Sequence, residues 1–406
     1  MSGALAGIRV LDWTNYQLGP AATMMLADMG ADVIKIENRE IGDLGRITVG
    51  KLLKQTIGID SDRNFYFETY NRNKRSVTID LKMAGGREIL YRLVEKSDAL
   101  VTNVRLDAAA KLGADYETLA KINPRLVYAH ASGYGAKGPA STKPGFDALG
   151  LARSGVMDAL APAGMPPQWP TGAIGDQIGG TLLSYSVLAG LVCAQRTGRG
   201  QMVSTSLLGS CMWVEQLNVN ATLMLNQEQP KFDRTKTGNP IYNFYQCQDG
   251  RWIFFALFQS DRHWPDFCAA AGVQHLQDDP RFAKAAAREE NCQELIRLLD
   301  QVFLTKPSSE WVSRFNAYHD LVFDLISPLS NLATDPQVLA NGYAIDFEHP
   351  HYGTTKMLGF PISFDGTPVE MRRAAPDLGQ HTEEVLVDVC GYTRDEVRDF
   401  RERRVI

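Results

Sequence analysis

The chain has 406 residues, 44% hydrophobic and 22% charged, which is enough apolar material for a well-buried core and for two domains. Its formal net charge of −5 excludes a general nucleic-acid surface, so basic clusters read as sites for small anions. No run of ~18 apolar residues is evident, so no membrane span is expected.

The N-terminal Met-Ser-Gly-Ala-Leu-Ala-Gly runs straight into a strand without the regions of a signal peptide. Cys193, Cys211, Cys247, Cys268, Cys292 and Cys390 are scattered, with no Cys-x-x-Cys and no paired histidine spacing. That pattern argues against a metal site and fits a reducing cytoplasm. In chain order, Ile8–Trp13 reads as a strand, Pro20–Met29 as a helix and Asp32–Glu37 as a second strand. The pattern recurs with strand Ser76–Leu81, helix Gly86–Lys96, strand Ala99–Asn103, helix Tyr116–Ile122 and strand Arg125–His130. Such alternation predicts an α/β fold with a mostly parallel sheet covered on both faces. Ligands are expected at the carboxyl ends of its strands, in the loops Thr14–Gly19, Asn38–Gly45, Asn103–Asp107 and Ser132–Asp147.

A long apolar helix is predicted over Gly179–Gln195, then strand Gln201–Thr205 and a further helix. Gln227–Pro240 reads as a linker. A smaller α+β domain follows, with a strand pair Tyr242–Gln246 and Arg251–Leu257 turning at Asp249-Gly250, and helices to about Phe315. After a second linker at Ser327–Asp335, the last stretch, with helix Thr382–Cys390, returns to the first domain. The expected boundaries are 1–225 for the first part of the large domain, 226–330 for linker and small domain, and 331–406 for linker and return.

Glu37 ends the second strand where a dinucleotide-binding fold keeps a ribose-binding acid. The first turn, Asp12-Trp-Thr-Asn-Tyr-Gln-Leu-Gly19, has one glycine where a pyrophosphate needs three, so dinucleotide binding is disfavoured. Asp176, in Gly-Asp-Gln-Ile-Gly-Gly180, reads as a helix N-cap, and the same geometry suits a carboxylate nucleophile, with Gly175, Gly179 and Gly180 leaving room for a thioester. Gln17 reads as a loop residue whose amide can also serve a carboxylate or oxyanion. Arg72, Lys74, Arg75 and Lys82, and then Arg105, Lys111, Lys137 and Lys143, are either solvated charge or anion ligands. His130 ends an apolar strand and reads as a core residue. The absence of Gly-x-Ser-x-Gly disfavours a serine hydrolase.

Together these segments resemble the class III CoA-transferases, the family of formyl-CoA transferase and carnitine CoA-transferase. The carriers are Gly7-Ile-Arg-Val-Leu-Asp12, Gln17-Leu-Gly-Pro20, Gly30-Ala-Asp-Val-Ile-Lys-Ile-Glu37, Asn73-Lys-Arg-Ser76, Gly133-Tyr-Gly135, Gly175-Asp-Gln-Ile-Gly179, Thr197-Gly-Arg-Gly-Gln201 and Leu378-Gly-Gln-His-Thr382. Pro144-Gly-Phe-Asp147, Leu151-Ala-Arg-Ser-Gly-Val156 and Asp249-Gly-Arg-Trp252 resemble the branch that activates 2-hydroxy acids. The resemblance implies a Rossmann-like large domain, a small middle domain and an interlocked homodimer. It also implies coenzyme A, carried as acyl-CoA, and a carboxylic acid as substrates, with no permanently bound cofactor; from charge and hydropathy, neither a membrane nor a nucleic-acid partner is expected.

Asp176 would be the nucleophile and Gln17 its catalytic companion. The family's coenzyme A contacts fall on Gln17, Leu18, Asn38, Ile79, Lys82, Asn103, Val104, Arg105, Lys111 and Lys143. Asn38 stands where formyl-CoA transferase has arginine, and Arg39 is the expected substitute. Tyr16, Phe146 and Asp147 would lie near the substrate. The 2-methylacyl-CoA racemases of this family keep a His in Gly-His-Asp. Here the tripeptide is Gly145-Phe146-Asp147, which disfavours racemisation. The glycine-run lid of formyl-CoA transferase has no counterpart between Thr235 and Ser260, which disfavours formate and oxalate. A CoA-transferase for a 2-hydroxy or related medium-sized acid is therefore the expected function, with a racemase or a non-catalytic CoA-binding protein as alternatives.

Overall fold

The computed structural model describes residues 3–47, 55 and 64–406. The chain divides into two compact units: one of the chain up to Leu160, Pro167–Glu228 and Gln337–Ile406, the other of Ala161–Pro166 and Gln229–Pro336.

In the larger unit, short, mostly buried runs form β1 (Arg9–Trp13), β2 (Asp32–Glu37), β3 (Arg75–Thr78), β4 (Ala99–Thr102), β5 (Val127–Ser132) and β6 (Met202–Ser206). They pair in the order β3-β2-β1-β4-β5-β6, every pairing parallel. Strand alternation sends Leu11, Ile34 and Leu100 to one face and Val10, Val33 and Val101 to the other, and both faces are buried. The helices are α1 (Leu18–Asp28), α2 (Phe65–Asn71), α3 (Ala84–Glu95), α4 (Leu106–Lys111), α5 (Tyr116–Ile122), α6 (Asp147–Ser154), α7 (Val156–Ala159), α8 (Ile174–Thr197), α9 (Leu207–Val214) and α10 (Gln216–Leu225). The C-terminal helices Thr382–Asp388 and Arg394–Glu402 complete the first face through Val385, Leu386, Val397 and Phe400. Asn73, at φ +63°, ties the returning chain down. Its Nδ2 donates to the Asp28 carboxylate (2.7 Å) and the Glu370 carbonyl (2.8 Å), and its Oδ1 accepts the N–H groups of Arg372 and Arg373.

Helix α8 corrects the sequence reading. It begins five residues before the predicted Gly179, and by length and composition it is apolar enough to cross a membrane, with 44% of its most apolar window buried. Its small residues are what let it pack closely. A Cβ on Gly179 would fall 2.5 Å from Leu18, one on Gly180 2.8 Å from the Leu18 carbonyl, and one on Gly190 2.7 Å from Val127. These glycines receive α1 and β5, rather than leaving space for a thioester as expected.

The smaller unit has an antiparallel sheet of β7 (Phe244–Gln246), β8 (Trp252–Phe255) and β9 (Phe323–Ile326). The third strand is absent from the sequence reading. Helices Ser260–Ala271, Cys292–Phe303 and Ser308–Phe315 cover one face of it over a core that includes Phe255, Phe267, Phe303, Trp311 and Phe315.

A buried ion cluster joins β1, β2 and the approach to β3. Lys74 Nζ lies 2.8 Å from Asp12 Oδ2 and also donates to the Pro20 carbonyl and to Asn71. Lys35 Nζ is 2.7 Å from Asp43 and 3.8 Å from Asp12, and all four side chains have 0% exposure. Burial alone would raise the Asp12 carboxyl, but Lys35 and Lys74 outweigh it and hold it at about 2. The basic cluster seen in sequence is thus largely structural. Arg72 pairs with Asp28, Lys74 with Asp12, and Arg75 with Asp32 and Glu384, leaving Lys82 as the exposed member.

Removing one partner of such a cluster strands a charge that water cannot reach. Lys74→Met is expected to lower the unfolding free energy by about 3–5 kcal/mol, measured by urea denaturation. A loss below about 1 kcal/mol, the range of surface ion pairs, would contradict the cluster's structural role.

Candidate active site

The strand order reverses between β1, which runs on to β2 and β3, and β4, which runs on to β5 and β6. That switch point opens a crevice at the carboxyl ends of the strands. Asn103, after β4, spans it: its Oδ1 accepts the Asn15 N–H at 2.9 Å and its Nδ2 donates to the Asn15 carbonyl at 2.7 Å. The next residue, Tyr16, takes φ +65°, a left-handed conformation that is costly for a bulky side chain. It is held there because its N–H donates to Asp43 Oδ1 (2.9 Å), and Asp43 is fixed by Lys35. Above this loop lies a cavity of about 400 Å³, lined by the loops after β1, β4 and β5 and by Asp176.

Asp176 is not the helix cap. Helix α8 starts at Ile174 after Ala173, which sits at φ +52°, and Asp176 is its third residue. The capping acceptor is Asp147, the first residue of α6, whose Oδ1 receives the Asp176 N–H at 3.0 Å. The Ala173 carbonyl is held by Gln17 Nε2 at 3.1 Å. Gln17 is therefore committed to positioning the turn that carries Asp176. Gly175 is required by crowding, since a Cβ there would lie 2.9 Å from both Asp147 Oδ1 and Cys211 Sγ.

These surroundings set the electrostatics. Burial, then the Asp147 charge, pushes the Asp176 carboxyl up to about 7. Burial raises Asp147 as well, opposed by the N–H groups of Asp176 and Gly175. Tyr66 and Tyr70, one turn apart on α2 with ring centroids 5.3 Å apart, are both pushed up by burial and then by the charge of Asp176, Tyr70 to about 12. Both stay neutral phenols. His130 lines the crevice, but its Nε2 lies 3.1 Å from the Val104 carbonyl and burial lowers its pKa, so it is a neutral, partnered imidazole.

Of the residues expected from sequence, the cavity wall gathers Tyr16, Gln17, Leu18, Asn103, Val104, Arg105, Lys143, Phe146 and Asp176, with Asp147 directly behind. It does not include Asn38, Arg39, Ile79, Lys82 or Lys111. Asn38 Oδ1 accepts the N–H groups of Glu40 and Ile41, Arg39 pairs with Glu40, and Ile79 is 3% exposed within the core. Lys82 and Lys111 are exposed, and Arg105 pairs with Asp107. Glu37 accepts from Arg46, Ser76 and the Asp43 N–H, so its carboxylate braces the loop after β2. The sequence does not single out Tyr66, Tyr70 or Ala173, and Cys211 figures there only among the scattered cysteines. The one linear signal is the i, i+4 spacing that puts both tyrosines on one helix face.

The profile of CoA-transferase family III matches residues 5–382. The (R)-2-hydroxy-4-methylpentanoate CoA-transferase of Clostridioides difficile is 31% identical, over 99% of this chain and 99% of that protein. The human succinyl-CoA:glutarate CoA-transferase is 30% identical, over 96% and 86% respectively. A CAIB/BAIF family protein from Brucella suis, known from a crystal structure, superposes with a TM-score of 0.84 at 26% identity, covering 96% of this chain and 100% of that one.

A carboxyl raised from 3.8 to about 7 makes the fold lose stability as pH rises through that window, because the native state must then ionise a group it holds protonated. Asp176→Asn removes this cost. The variant's stability advantage over wild type should grow from pH 5 to pH 8 by on the order of a few kcal/mol, read by denaturant unfolding at both pH values. An advantage independent of pH would contradict the raised carboxyl.

Proposed function

Because the chain belongs to CoA-transferase family III, we propose that it moves coenzyme A from an acyl-CoA donor to a medium-sized carboxylic acid, with 2-hydroxy acids as the leading class, by double displacement on Asp176. The observation that carries this reading is a half-buried carboxylate on the wall of the switch-point crevice, on a turn held by Gln17 and Asp147. The ionised Asp176 attacks the thioester carbonyl; the C–S bond breaks and an aspartyl–acyl anhydride forms with release of CoA thiolate. The thiolate attacks the aspartyl carbonyl, giving an aspartyl–CoA thioester and the first free acid. The acceptor carboxylate then runs the two steps in reverse. Each step is a carbonyl substitution, so no redox partner is needed.

The raised carboxyl suits this role. A more basic carboxylate is a better nucleophile, and at neutral pH a substantial fraction is still ionised. Arg105 and Lys143 on the rim, and the wall residues Leu18, Asn103 and Val104, are the proposed coenzyme A contacts. A 2-methylacyl-CoA racemase is disfavoured because Phe146 occupies the position of that activity's histidine, and His130 is neutral and tied to Val104. The 2-hydroxy acid class is supported by the Clostridioides relative, which acts on such an acid by name. An interlocked homodimer is part of the reading. It is supported by exposed Met212, Trp213, Leu217, Leu223 and Met224 along α9 and α10, an apolar strip that a second copy would cover.

Incubation with acyl-CoA alone, followed by hydroxylamine, should convert Asp176 to its hydroxamate, seen as a mass shift on the peptide that contains it. Asp176→Ala should show no modification and no exchange. Full exchange by Asp176→Ala would defeat the mechanism, and α-proton exchange without an acceptor acid would favour a racemase.

A further inference from the structure

We infer that Tyr16 and Phe146 form the acyl-chain wall of the crevice and select apolar, aromatic or branched acyl groups over dicarboxylates. This rests on the transferase reading above and extends it to the substrate class.

Two aromatic rings meet in the cavity lining, their centroids 5.9 Å apart at 80°, an edge-to-face pair. Phe146 is 57% exposed, although it stands in a concave wall where a ligand would cover it. Each ring is one residue from a group that holds the nucleophile's turn. Tyr16 precedes Gln17, which binds the Ala173 carbonyl, and Phe146 precedes Asp147, which accepts the Asp176 N–H. Tyr16, Phe146 and Asp176 line the same cavity, so a molecule bonded to Asp176 shares it with these rings.

Backbone strain points the same way. A tyrosine at φ +65° is strained backbone, of the kind borne at functional sites where the surroundings enforce it. Here Asp43 and Asn103 enforce it, and the Tyr16 ring is delivered against Phe146. Leu18, Leu44 and Leu207 continue the lining with apolar surface. The charge distribution opposes a second carboxylate beside the rings. Asp147 and Asp176 already place two acidic groups at this end, and the lining's cations, Arg105 and Lys143, are the exposed residues proposed above to hold coenzyme A. A distal carboxylate would meet like charge and aromatic faces, a repulsive element that an apolar chain does not face.

Single-turnover release of CoA from 4-methylpentanoyl-CoA, 3-phenylpropanoyl-CoA and succinyl-CoA tests this in wild type, Tyr16→Gly and Phe146→Ala, alongside the affinity for free CoA and thermal melts. Glycine accepts positive φ without strain and Phe146 is largely exposed, so both variants should fold. Wild type should react with the two apolar thioesters at least about tenfold faster than with succinyl-CoA, and each variant should lose about tenfold or more of that ratio, with free-CoA affinity unchanged. A wild-type preference for succinyl-CoA, or variants that keep the wild-type ratio, would overturn the wall. So would a uniform loss across all thioesters together with free CoA, which would assign the rings to coenzyme A itself. No release from any thioester by wild type would instead defeat the transferase reading, and this inference with it.

Discussion

The site depends on a group of charges that never meets water. Asp12, Lys35, Asp43 and Lys74 come from β1, β2, the loop after β2 and the approach to β3, and they neutralise one another in full burial. Such a cluster is a poor source of net stability, because desolvation offsets most of its Coulomb energy. Its effect is geometric. Lys35 and Glu37 hold Asp43, Asp43 holds the Tyr16 amide, and the held amide keeps the loop after β1 in a left-handed turn that its own residues would not choose. Gln17 leaves that turn aimed at Ala173, and so at the start of the helix that bears Asp176.

Two effects compete at Asp176. The first turn of a helix favours a negative charge by about 0.3–1 kcal/mol, which would lower the carboxyl. Burial beside Asp147 acts the other way, and a shift from 3.8 to about 7 corresponds to roughly 4 kcal/mol. Burial wins by severalfold. The result is a carboxylate basic enough to attack a thioester and only partly charged at neutral pH, a consequence of its place at the mouth of α8 rather than of its residue type. Asp147 shapes both sides of this balance. It fixes the Asp176 backbone by accepting its N–H, and it raises the Asp176 side chain by its own charge.

Much of the large unit was legible because its strands are short, mostly apolar runs alternating with helices; Asp32–Glu37 and Tyr116–Ile122 match the observed elements to the residue. The start of α8 was not, since Gly172, Gly175 and Gly179 depress helix propensity over a stretch whose helicity comes from packing. Reading Asp176 as a cap followed from that displaced start. A missed signal was local: Thr393 and Glu396 form a capping box at the last helix, at the spacing that marks a helix start. The charged residues were the hardest to sort. Lys74 and Lys143 look alike in sequence, yet one is sealed against Asp12 and the other stands on the crevice rim. Only the register of β1, β2 and β3 decides between them. Tyr66 and Tyr70 reach the field of Asp176 through tertiary packing; their i, i+4 spacing puts them on one helix face but does not say what that face meets.

The central claim is that Asp176 is a nucleophile whose carboxyl is tuned upward by burial and by Asp147. The rate of the first CoA release from an acyl-CoA, followed in a single turnover across pH 5 to 9, tests it most directly. The account predicts a rate that rises with pH through about 7 and levels off above it, with the inflection moving to lower pH in Asp147→Asn, where the neighbouring charge is gone. A rate independent of pH across this range, or an inflection that Asp147→Asn leaves in place, would contradict it.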